Sequence, residues 1–171
     1  MKTFILVRHT KSSWKNTSLP DIERPLKKDR IEDAISVSCK LRDLDFQPQL
    51  IISSPAKRAY DTAQIFARVL SYPIDKIKID HSIYESSEKE LLQLINSLDP
   101  KYERVMIFGH NPCFENFLSE YTNSDIEELP TTGTVWLEIE EDEWKITKKK
   151  KAIQRHFFTP KALKKERKAM S

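Results

Sequence analysis

The 171-residue sequence contains only two glycines, Gly109 and Gly133, and they lie in separate segments. Glycine-rich loops that bind dinucleotides or nucleoside triphosphates need several closely spaced glycines, because their backbone must approach the phosphates. The sequence therefore excludes a phosphate site of that kind. Any phosphate site in this chain has to be built from side chains and from the N-termini of helices.

Cysteine and long apolar runs are also scarce. The two cysteines, Cys39 and Cys113, lie in unrelated segments, so the sequence predicts free thiols and no disulfide. The apolar run from Phe4 to Val7 ends at the charged Arg8 and is far too short for a signal peptide or a membrane span. We therefore expect a soluble, cytoplasmic protein without a membrane span.

The net charge of +3 hides a strong asymmetry. Residues 145–171 contain eleven Lys or Arg and one acidic residue, so they carry +10 while the rest of the chain carries −7. The length and this pattern predict one domain over residues 1–150 and a basic tail over residues 151–171. Such a tail suits nucleic acid, an anionic lipid surface or an acidic protein, and it equally suits a solvated terminus. Its aromatic residues are few, so nucleic acid is not an expected partner.

Apolar patterns predict alternating strands and helices. Apolar runs typical of strands occupy residues 3–8, 50–53 and 105–108, and apolar and charged residues alternate over residues 76–80 as in a short strand. Apolar residues at helical spacing follow at about 27–44, 54–70, 87–98 and after Asn111-Pro112. Val135–Ile139 and Trp144–Ile146 are predicted to form an antiparallel hairpin. The sequence thus indicates an α/β fold of three layers, in which a mainly parallel sheet lies between helices and carries an antiparallel hairpin at its C-terminal edge.

Charged side chains follow three of the predicted strands. Arg8 and His9 come directly after the first strand. Arg58 lies in the first turn of the helix after the second strand, and His110 ends a later strand. Ligands of open α/β sheets bind beyond the carboxyl ends of the parallel strands. We therefore expect these four side chains to meet at one edge of the sheet, together with two helix N-termini.

Each of those groups favours an anion, and phosphate fits the set. Arginine binds phosphate oxygens through its planar fork, and helix N-termini offer unpaired N–H groups. A neutral histidine is a nucleophile toward phosphorus when its other ring nitrogen is held as a donor. Positioning and positive charge supply most of the catalysis of phosphoryl transfer, so we expect neither a metal nor a cofactor. The other two histidines, His81 and His156, are expected at the surface.

Five separated segments carry a family resemblance. They are Leu6-Val7-Arg8-His9-Thr10-Lys11-Ser12, Arg24-Pro25-Leu26, Ser53-Ser54-Pro55-Ala56-Lys57-Arg58-Ala59, Gly109-His110-Asn111-Pro112 and Pro130-Thr131-Thr132-Gly133. In this order they resemble SixA-type phosphohistidine phosphatases of the histidine phosphatase, or phosphoglycerate mutase-like, superfamily. The resemblance covers the chain from residue 3 to about residue 147 and implies a phosphoglycerate mutase-like fold.

The resemblance also implies roles for the four strand-end residues. It makes His9 the phosphorylated nucleophile, and it makes Arg8 and Arg58 the clamps that hold phosphate. It makes His110 a further phosphate ligand that stabilises the transferred charge. We expect His110 to be protonated while it holds the phosphate oxygens.

Three further residues are left open by the resemblance. Glu85 falls where related enzymes carry a general acid, but an acid in the first turn near a helix start equally fits a structural role. Arg24 either lines the mouth of the pocket and binds substrate or is structural. Thr10 replaces the glycine that is usual in the superfamily, which predicts a slightly different shape of the loop after His9.

The resemblance implies an enzyme that removes phosphate from phosphohistidine. The substrate would be a histidine-containing phosphotransfer domain or another phosphocarrier protein of signal transduction. A short chain favours this substrate, because superfamily mutases are longer and close over small sugar phosphates. A phosphatase for small phosphate esters would use the same residues, so both substrate classes stay open. A module that binds its partner through the basic tail is a third hypothesis.

Overall fold

Every side chain from Phe4 to Val7 is buried, as expected for a strand with helices on both of its faces. The protein was analysed as a computed structural model that describes residues 1–170. Its six-stranded sheet has the order β3-β2-β4-β1-β5-β6. The strands are β1 (Lys2–Arg8), β2 (Leu50–Ser53), β3 (Lys78–Ile79), β4 (Arg104–Gly109), β5 (Thr134–Ile139) and β6 (Ile153–Phe158). The first four are mutually parallel, and β5 and β6 are antiparallel to their neighbours.

Two separate apolar cores lie on the two faces of this sheet. The helices are α1 (Ile31–Asp43), α2 (Lys57–Val69), α3 (Glu88–Asn96), α4 (Cys113–Tyr121) and α5 (Pro160–Met170). Phe4 and Leu6 belong to the core that contains α3 and α4. Ile5 and Val7 belong to the core that contains α1, α2 and one residue of α5. The predicted three-layer α/β fold with a mainly parallel sheet is therefore confirmed.

The starts of the helices show where local sequence signals are sufficient. A capping box precedes α3, because Ser87 and Glu90 each accept a hydrogen bond from the other's backbone N–H. Ser54 does not cap α2 directly, since that helix begins at Lys57 after Ala56. Three residues, Ser54 to Ala56, separate β2 from the helix, and the Ser54 hydroxyl lies beside His110 at the edge of the sheet.

The C-terminal hairpin is present, but its second strand was predicted at the wrong place. Trp144 and Ile146 are buried in a connecting loop, where the indole N–H of Trp144 donates to the Tyr102 carbonyl at 3.0 Å. Their alternation therefore arises from loop burial and not from a strand. The strand that pairs with β5 is β6, which lies within the predicted tail, so the sheet extends beyond residue 150.

The rest of the basic segment up to Met170 is the helix α5. Its Leu163 is buried in the core beside α1, while most of its other residues are exposed. No helix among residues 1–170 combines the length and the apolar character needed to cross a membrane. Both cysteines are free thiols, and Cys113 is buried.

Candidate active site

The carboxyl ends of three parallel strands lie level with one another at one edge of the sheet. Arg8 at the end of β1 is paired with Gly109 of β4, and Ser53 of β2 is paired with Phe108. A side chain at Gly109 would lie 2.8 Å from the Phe114 ring, so only glycine allows β4 and α4 to pack this closely. The residues that follow these strand ends therefore meet in one place.

A cavity of about 260 Å³ opens at this edge. Its lining includes five of the six residues that the sequence predicts for the site: Arg8, His9, Arg24, Arg58 and His110. The centroids of the two imidazole rings are 5.2 Å apart. The expected convergence of two histidines and two arginines at the strand ends is therefore present.

His9 is held in one tautomer by the backbone. Only 8% of its surface is exposed, and its Nδ1 lies 2.7 Å from the carbonyl oxygen of Thr10. A carbonyl only accepts, so Nδ1 carries the hydrogen and Nε2 of the neutral ring keeps its lone pair. Burial lowers the pKa of His9 to about 4, with the nearby arginines acting in the same direction and the Thr10 carbonyl against them. At neutral pH the ring therefore presents a neutral nucleophilic nitrogen.

Three buried nitrogens of this site have no hydrogen-bond partner among residues 1–170. They are Nε of Arg8, Nε of Arg58 and Nδ1 of His110. Buried polar atoms are nearly always paired, and leaving one unpaired costs about 1–3 kcal/mol. In the described part of the chain only three other buried side-chain atoms lack a partner. The unpaired nitrogens of Arg8, Arg58 and His110 belong to side chains that all line the His9 cavity.

The two arginines are oriented by groups outside the cavity. Arg8 donates through Nη1 to the Leu129 carbonyl at 2.9 Å. Arg58 donates through Nη1 to the backbone carbonyl of Asp21 at 2.8 Å and through Nη2 to its carboxylate at 3.0 Å. Burial lowers the pKa of Arg8, and the charge of Glu115 opposes that shift. Both guanidinium groups stay charged, since arginine does not lose its proton in proteins.

His110 is neutral, which differs from the protonated form expected from the sequence. Its Nε2 lies 2.8 Å from the Ser54 hydroxyl, and the same oxygen accepts from the Ala56 N–H at 3.2 Å. If the Ser54 hydroxyl donates to Nε2, Nδ1 carries the ring hydrogen and is the unpaired donor. Burial, together with His9 and Arg58, lowers the pKa of His110 to about 3. In that tautomer, the neutral His110 ring offers an anion a hydrogen bond from Nδ1.

Arg24 makes structural contacts and also lies in the lining of the His9 cavity. Its side chain is buried, and it donates to the Ser12 hydroxyl at 2.7 Å and to the Asp21 carboxylate at 3.1 Å. Its guanidinium also lies 3.4 Å from the centroid of the Trp14 ring. These contacts fix the loop between β1 and α1, while the same side chain lines the His9 cavity.

Asp21 is a residue of this site that the sequence analysis missed. Its carboxylate binds Arg24 and Arg58 and accepts a hydrogen bond of 2.7 Å from the Tyr84 hydroxyl. The Tyr84 hydrogen bond is the largest cause that lowers the pKa of Asp21 to about 2, and both arginines act in the same direction against partial burial. Asp21 and Arg58 are 37 positions apart, so no local pattern in the sequence indicates their contact.

Comparisons with known proteins place this geometry in a family. An uncharacterized chloroplastic protein of Arabidopsis thaliana is 32% identical over 151 residues, which span 84% of this chain and 69% of that protein. The model of the histidine phosphatase superfamily (branch 1) matches residues 4–87. The chain belongs to the histidine phosphatase superfamily. The matched range includes Arg8, His9 and Arg58, and membership supports phosphatase activity.

Solved structures share the fold of this histidine phosphatase. SixA from Agrobacterium tumefaciens, assigned as a phosphohistidine phosphatase, is 24% identical with a TM-score of 0.77 and coverage of 93% of this chain and 98% of that one. The protein histidine phosphatase SixA in complex with tungstate is 15% identical, with a TM-score of 0.74 and coverage of 94% and 99%. A mycobacterial glucosyl-3-phosphoglycerate phosphatase in complex with VO3 is 12% identical, with a TM-score of 0.65 and coverage of 91% and 98%.

Thr10 is accommodated in this histidine phosphatase without backbone strain. It is fully buried, its N–H donates to the Thr62 hydroxyl at 2.9 Å, and its own hydroxyl lies 2.8 Å from that of Thr132. Thr10 is not among the four non-glycine residues with positive φ in residues 1–170, whereas Thr132 is one of them, at 64°. The hydroxyl pair therefore joins the loop after β1 to the loop before β5.

Glu85 is the predicted residue that the His9 cavity does not include. It lines a neighbouring cavity of about 350 Å³ that shares Arg58 and His110 with the first. Its side chain is exposed, and its backbone has a φ of 57°, a conformation that is uncommon for a residue other than glycine. Glu85 therefore lies in the same lining as two of the predicted phosphate ligands, in the cavity that does not include His9.

Residues 1–170 contain no cluster of three or more His, Cys, Asp or Glu side chains that could hold a metal ion. His81 and His156 are exposed, as expected from the sequence. Metal-independent catalysis stays a prediction, which a chelator tests directly: turnover that disappears with chelator and returns with a divalent metal would contradict it.

Proposed function

We propose that this histidine phosphatase removes phosphate from phosphohistidine through a phosphorylated His9 intermediate. The observation that carries the proposal is the hydrogen bond from Nδ1 of His9 to the Thr10 carbonyl, which leaves Nε2 as a neutral nucleophile. Three unpartnered donors of Arg8, Arg58 and His110 surround the same site. A buried nucleophile among buried donors is the arrangement that phosphoryl transfer requires.

In the first step, Nε2 of His9 forms a bond to phosphorus and the bond between phosphorus and the substrate's imidazole nitrogen breaks. The departing nitrogen takes a proton from solvent water, so the substrate leaves as neutral histidine. In the second step, water attacks phospho-His9 and returns a proton to the solvent, the bond between phosphorus and Nε2 breaks, inorganic phosphate is released and His9 recovers its lone pair. Arg8, Arg58 and His110 hold the non-bridging oxygens in both steps, so the transferred charge meets the same donors throughout.

The chemistry of the leaving group favours a phosphoramidate substrate. An imidazole leaves as a neutral group once its nitrogen is protonated, whereas an ester has to expel an alkoxide and depends on a well-placed acid. Glu85, the candidate acid, is exposed and lies in the neighbouring cavity. The similarity to SixA structures supports the same substrate class, carried by a phosphotransfer domain or another phosphocarrier protein.

A phosphatase for small phosphate esters is the second candidate. The observation that favours it is that Glu85 and His9 lie in adjoining cavities with Arg58 and His110 in the shared lining. The mycobacterial relative in fold is described as a phosphatase of glucosyl-3-phosphoglycerate, a small phosphate ester. Turnover of free phosphohistidine, a phosphohistidine peptide and a panel of phosphomonoesters under one set of conditions discriminates between the two.

The intermediate can be trapped. Enzyme mixed with ³²P-labelled phosphohistidine and quenched rapidly in alkali should retain label, because phosphohistidine survives alkali. His9→Ala should retain no label and lose turnover, while His81→Ala, which removes an exposed histidine, should behave as wild type. Wild type without trapped label, together with an active His9→Ala variant, would refute the proposed course.

A further inference from the structure

A groove of about 720 Å³ lies next to the His9 cavity, on the other side of the loop formed by residues 128–131. Thr131 lines both cavities. Within the same loop, the Leu129 carbonyl accepts the hydrogen bond from Arg8, while Glu128 and Pro130 face the groove. The loop is therefore a shared wall, and a molecule that places its phosphate beside His9 reaches the groove by passing Thr131.

The groove is positively charged. Its lining has five cationic side chains and two carboxylates: Arg30, Lys161, Lys164, Lys165, Lys168, Asp33 and Glu128. Asp33 is matched by Lys164 at 3.7 Å and by Arg30 at 3.8 Å. Lys161 and Lys165 are exposed, and neither takes part in an ion pair formed within residues 1–170. A net charge of +3 thus faces an open groove, most of it from one side of α5.

The form of this groove suits a chain segment better than a single anion. Its lysines are exposed along a helix, unlike the buried donors that surround His9. Phe157, Pro130 and Pro160 add apolar surface to the same lining. A segment with acidic side chains and at least one apolar side chain fits both features.

Acidic residues next to the groove oppose a long polyanion. Asp125, Glu127 and Glu128 are exposed in the segment that leads into the shared loop. A nucleic acid presents a charge at every nucleotide and would meet these carboxylates as it left the groove. A protein segment is not charged at every residue, so it can enter the groove without placing a negative charge next to these carboxylates.

We propose that the groove docks an acidic segment of the phosphorylated protein substrate while the phosphohistidine of that protein occupies the His9 cavity. This proposal rests on the proposed function and adds the recognition surface to it. Exposed charge pairs contribute little energy and are weakened by salt. The groove should therefore change the selection of protein substrates and leave the chemical step unchanged.

Two synthetic peptides test the proposal. Both carry one phosphohistidine, flanked on each side by two glutamates in the first peptide and by two glutamines in the second. At low salt the wild type should have a kcat/KM about fivefold higher for the glutamate peptide, and the ratio should approach one at high salt. A ratio of one at low salt would overturn the proposal.

Matched charge reversals locate the effect. Lys161→Glu with Lys165→Glu should reduce the ratio to one or below. Lys149→Glu with Lys151→Glu makes the same charge change at exposed residues outside the groove and should keep the ratio. Free phosphohistidine should be hydrolysed equally by all three proteins. A ratio that survives in the groove variant, or that falls equally in both variants, would overturn the proposal.

Binding of the unphosphorylated peptides separates a failure of docking from a failure of the proposed function. Wild type that hydrolyses no phosphohistidine substrate contradicts the function. Fluorescence anisotropy of a labelled glutamate peptide still decides on the groove, since its affinity should fall at least fivefold in the groove variant only. An unchanged affinity, or a short single-stranded RNA that binds the groove more tightly than this peptide, would overturn the assignment.

Discussion

The His9 cavity and the groove beside α5 share Thr131, yet they hold their cationic groups in opposite ways. Around His9 the donors are buried, and the two arginines are anchored by Leu129 and Asp21. In the groove the lysines are exposed on one helix. Interactions between buried charges are strong because the local dielectric is low, and they change little with salt. Interactions between exposed charges are weakened by salt.

This difference in burial fits two different roles, in which the cavity stabilises the transition state and the groove selects the substrate. A donor fixed at the reacting group stabilises charge in the transition state and is worth several kcal/mol. A flexible surface lysine contributes about 1 kcal/mol or less and acts before the chemical step. Substitutions in the cavity should therefore give large effects that do not depend on salt, and the predictions below test that contrast in order of size.

Arg58→Ala should give the largest of these effects. It removes a charged donor from the cavity, and such losses cost about 3 kcal/mol, or about a hundredfold in kcat/KM. The control is Arg68→Ala, which removes an exposed arginine from the same helix. The loss in Arg58→Ala should be the same at low and high salt. Wild-type turnover of this variant would mean that Arg58 is only a structural residue.

The free energy of unfolding should decrease as the pH is lowered from 6.5 to 5. The pKa values of His9 and His110 are about 4 and about 3 in the folded state, below the ordinary value of 6.5, so the unfolded chain binds more protons in this interval. Stability from both histidines is complete above pH 6.5 and is lost toward their folded pKa values. Each should contribute about 2 kcal/mol of that loss, measured by urea unfolding at the two pH values.

Substitutions distinguish the contribution of the histidines to this pH dependence of stability from that of the carboxylates. Asp21 has a lowered pKa of about 2, so its contribution is present above its ordinary value of 3.8 and is lost only below it, outside the interval tested. His9→Gln should reduce the pH-dependent loss by about 2 kcal/mol, while His81→Gln at the surface should not change it. A stability that is constant from pH 6.5 to 5 in the wild type would contradict the buried, neutral state of both rings.

Asp21→Asn should lower kcat about tenfold without raising KM. The charge-assisted pairs with Arg58 and Arg24 are weakened, so Arg58 is less well oriented in the transition state. The substitution also removes a negative charge beside the incoming phosphate, which favours substrate binding. Glu23→Gln makes the same charge change on an exposed neighbour and is the control. An equal drop in the control, or a rise in KM with kcat unchanged, would exclude a positioning role for Asp21.

The sequence predicted the parts of the site that follow directly from strands. Arg8, His9 and His110 are fixed in place once the strands before them are parallel and in register, and apolar runs indicate such strands well. Asp21 was missed because its contacts join a loop to a helix across 37 positions, and no periodicity encodes them. The neutral state of His110 was also missed, since burial that lowers a pKa is a property of the folded chain.

The C-terminal edge shows the same limit in the fold. Residues 153–158 alternate too weakly to indicate a strand, and the run of lysines before them suggests a solvated tail. Pairing with β5 makes them the edge strand, and burial of Leu163 holds the helix that follows beside α1. Composition alone therefore described the charge of this segment and not its structure.

Glu85→Gln should give the smallest effect on phosphohistidine and a larger one on esters, which tests the boundary between the His9 cavity and its neighbour. Glu85 is exposed in the adjoining cavity, beside Arg58 and His110, so a proton from it can reach a leaving group only on that side. Imidazole leaves readily as a neutral group, so the rate of phosphohistidine hydrolysis should change less than about twofold. A phosphomonoester needs an acid, so the rate of its hydrolysis should fall by about tenfold or more. Measuring kcat/KM on both substrates with Glu88→Gln as the control isolates this residue. Equal slowing on both substrates would mean that Glu85 has only a structural role at its position of positive φ. A change in the conformation of that loop would affect both substrates alike.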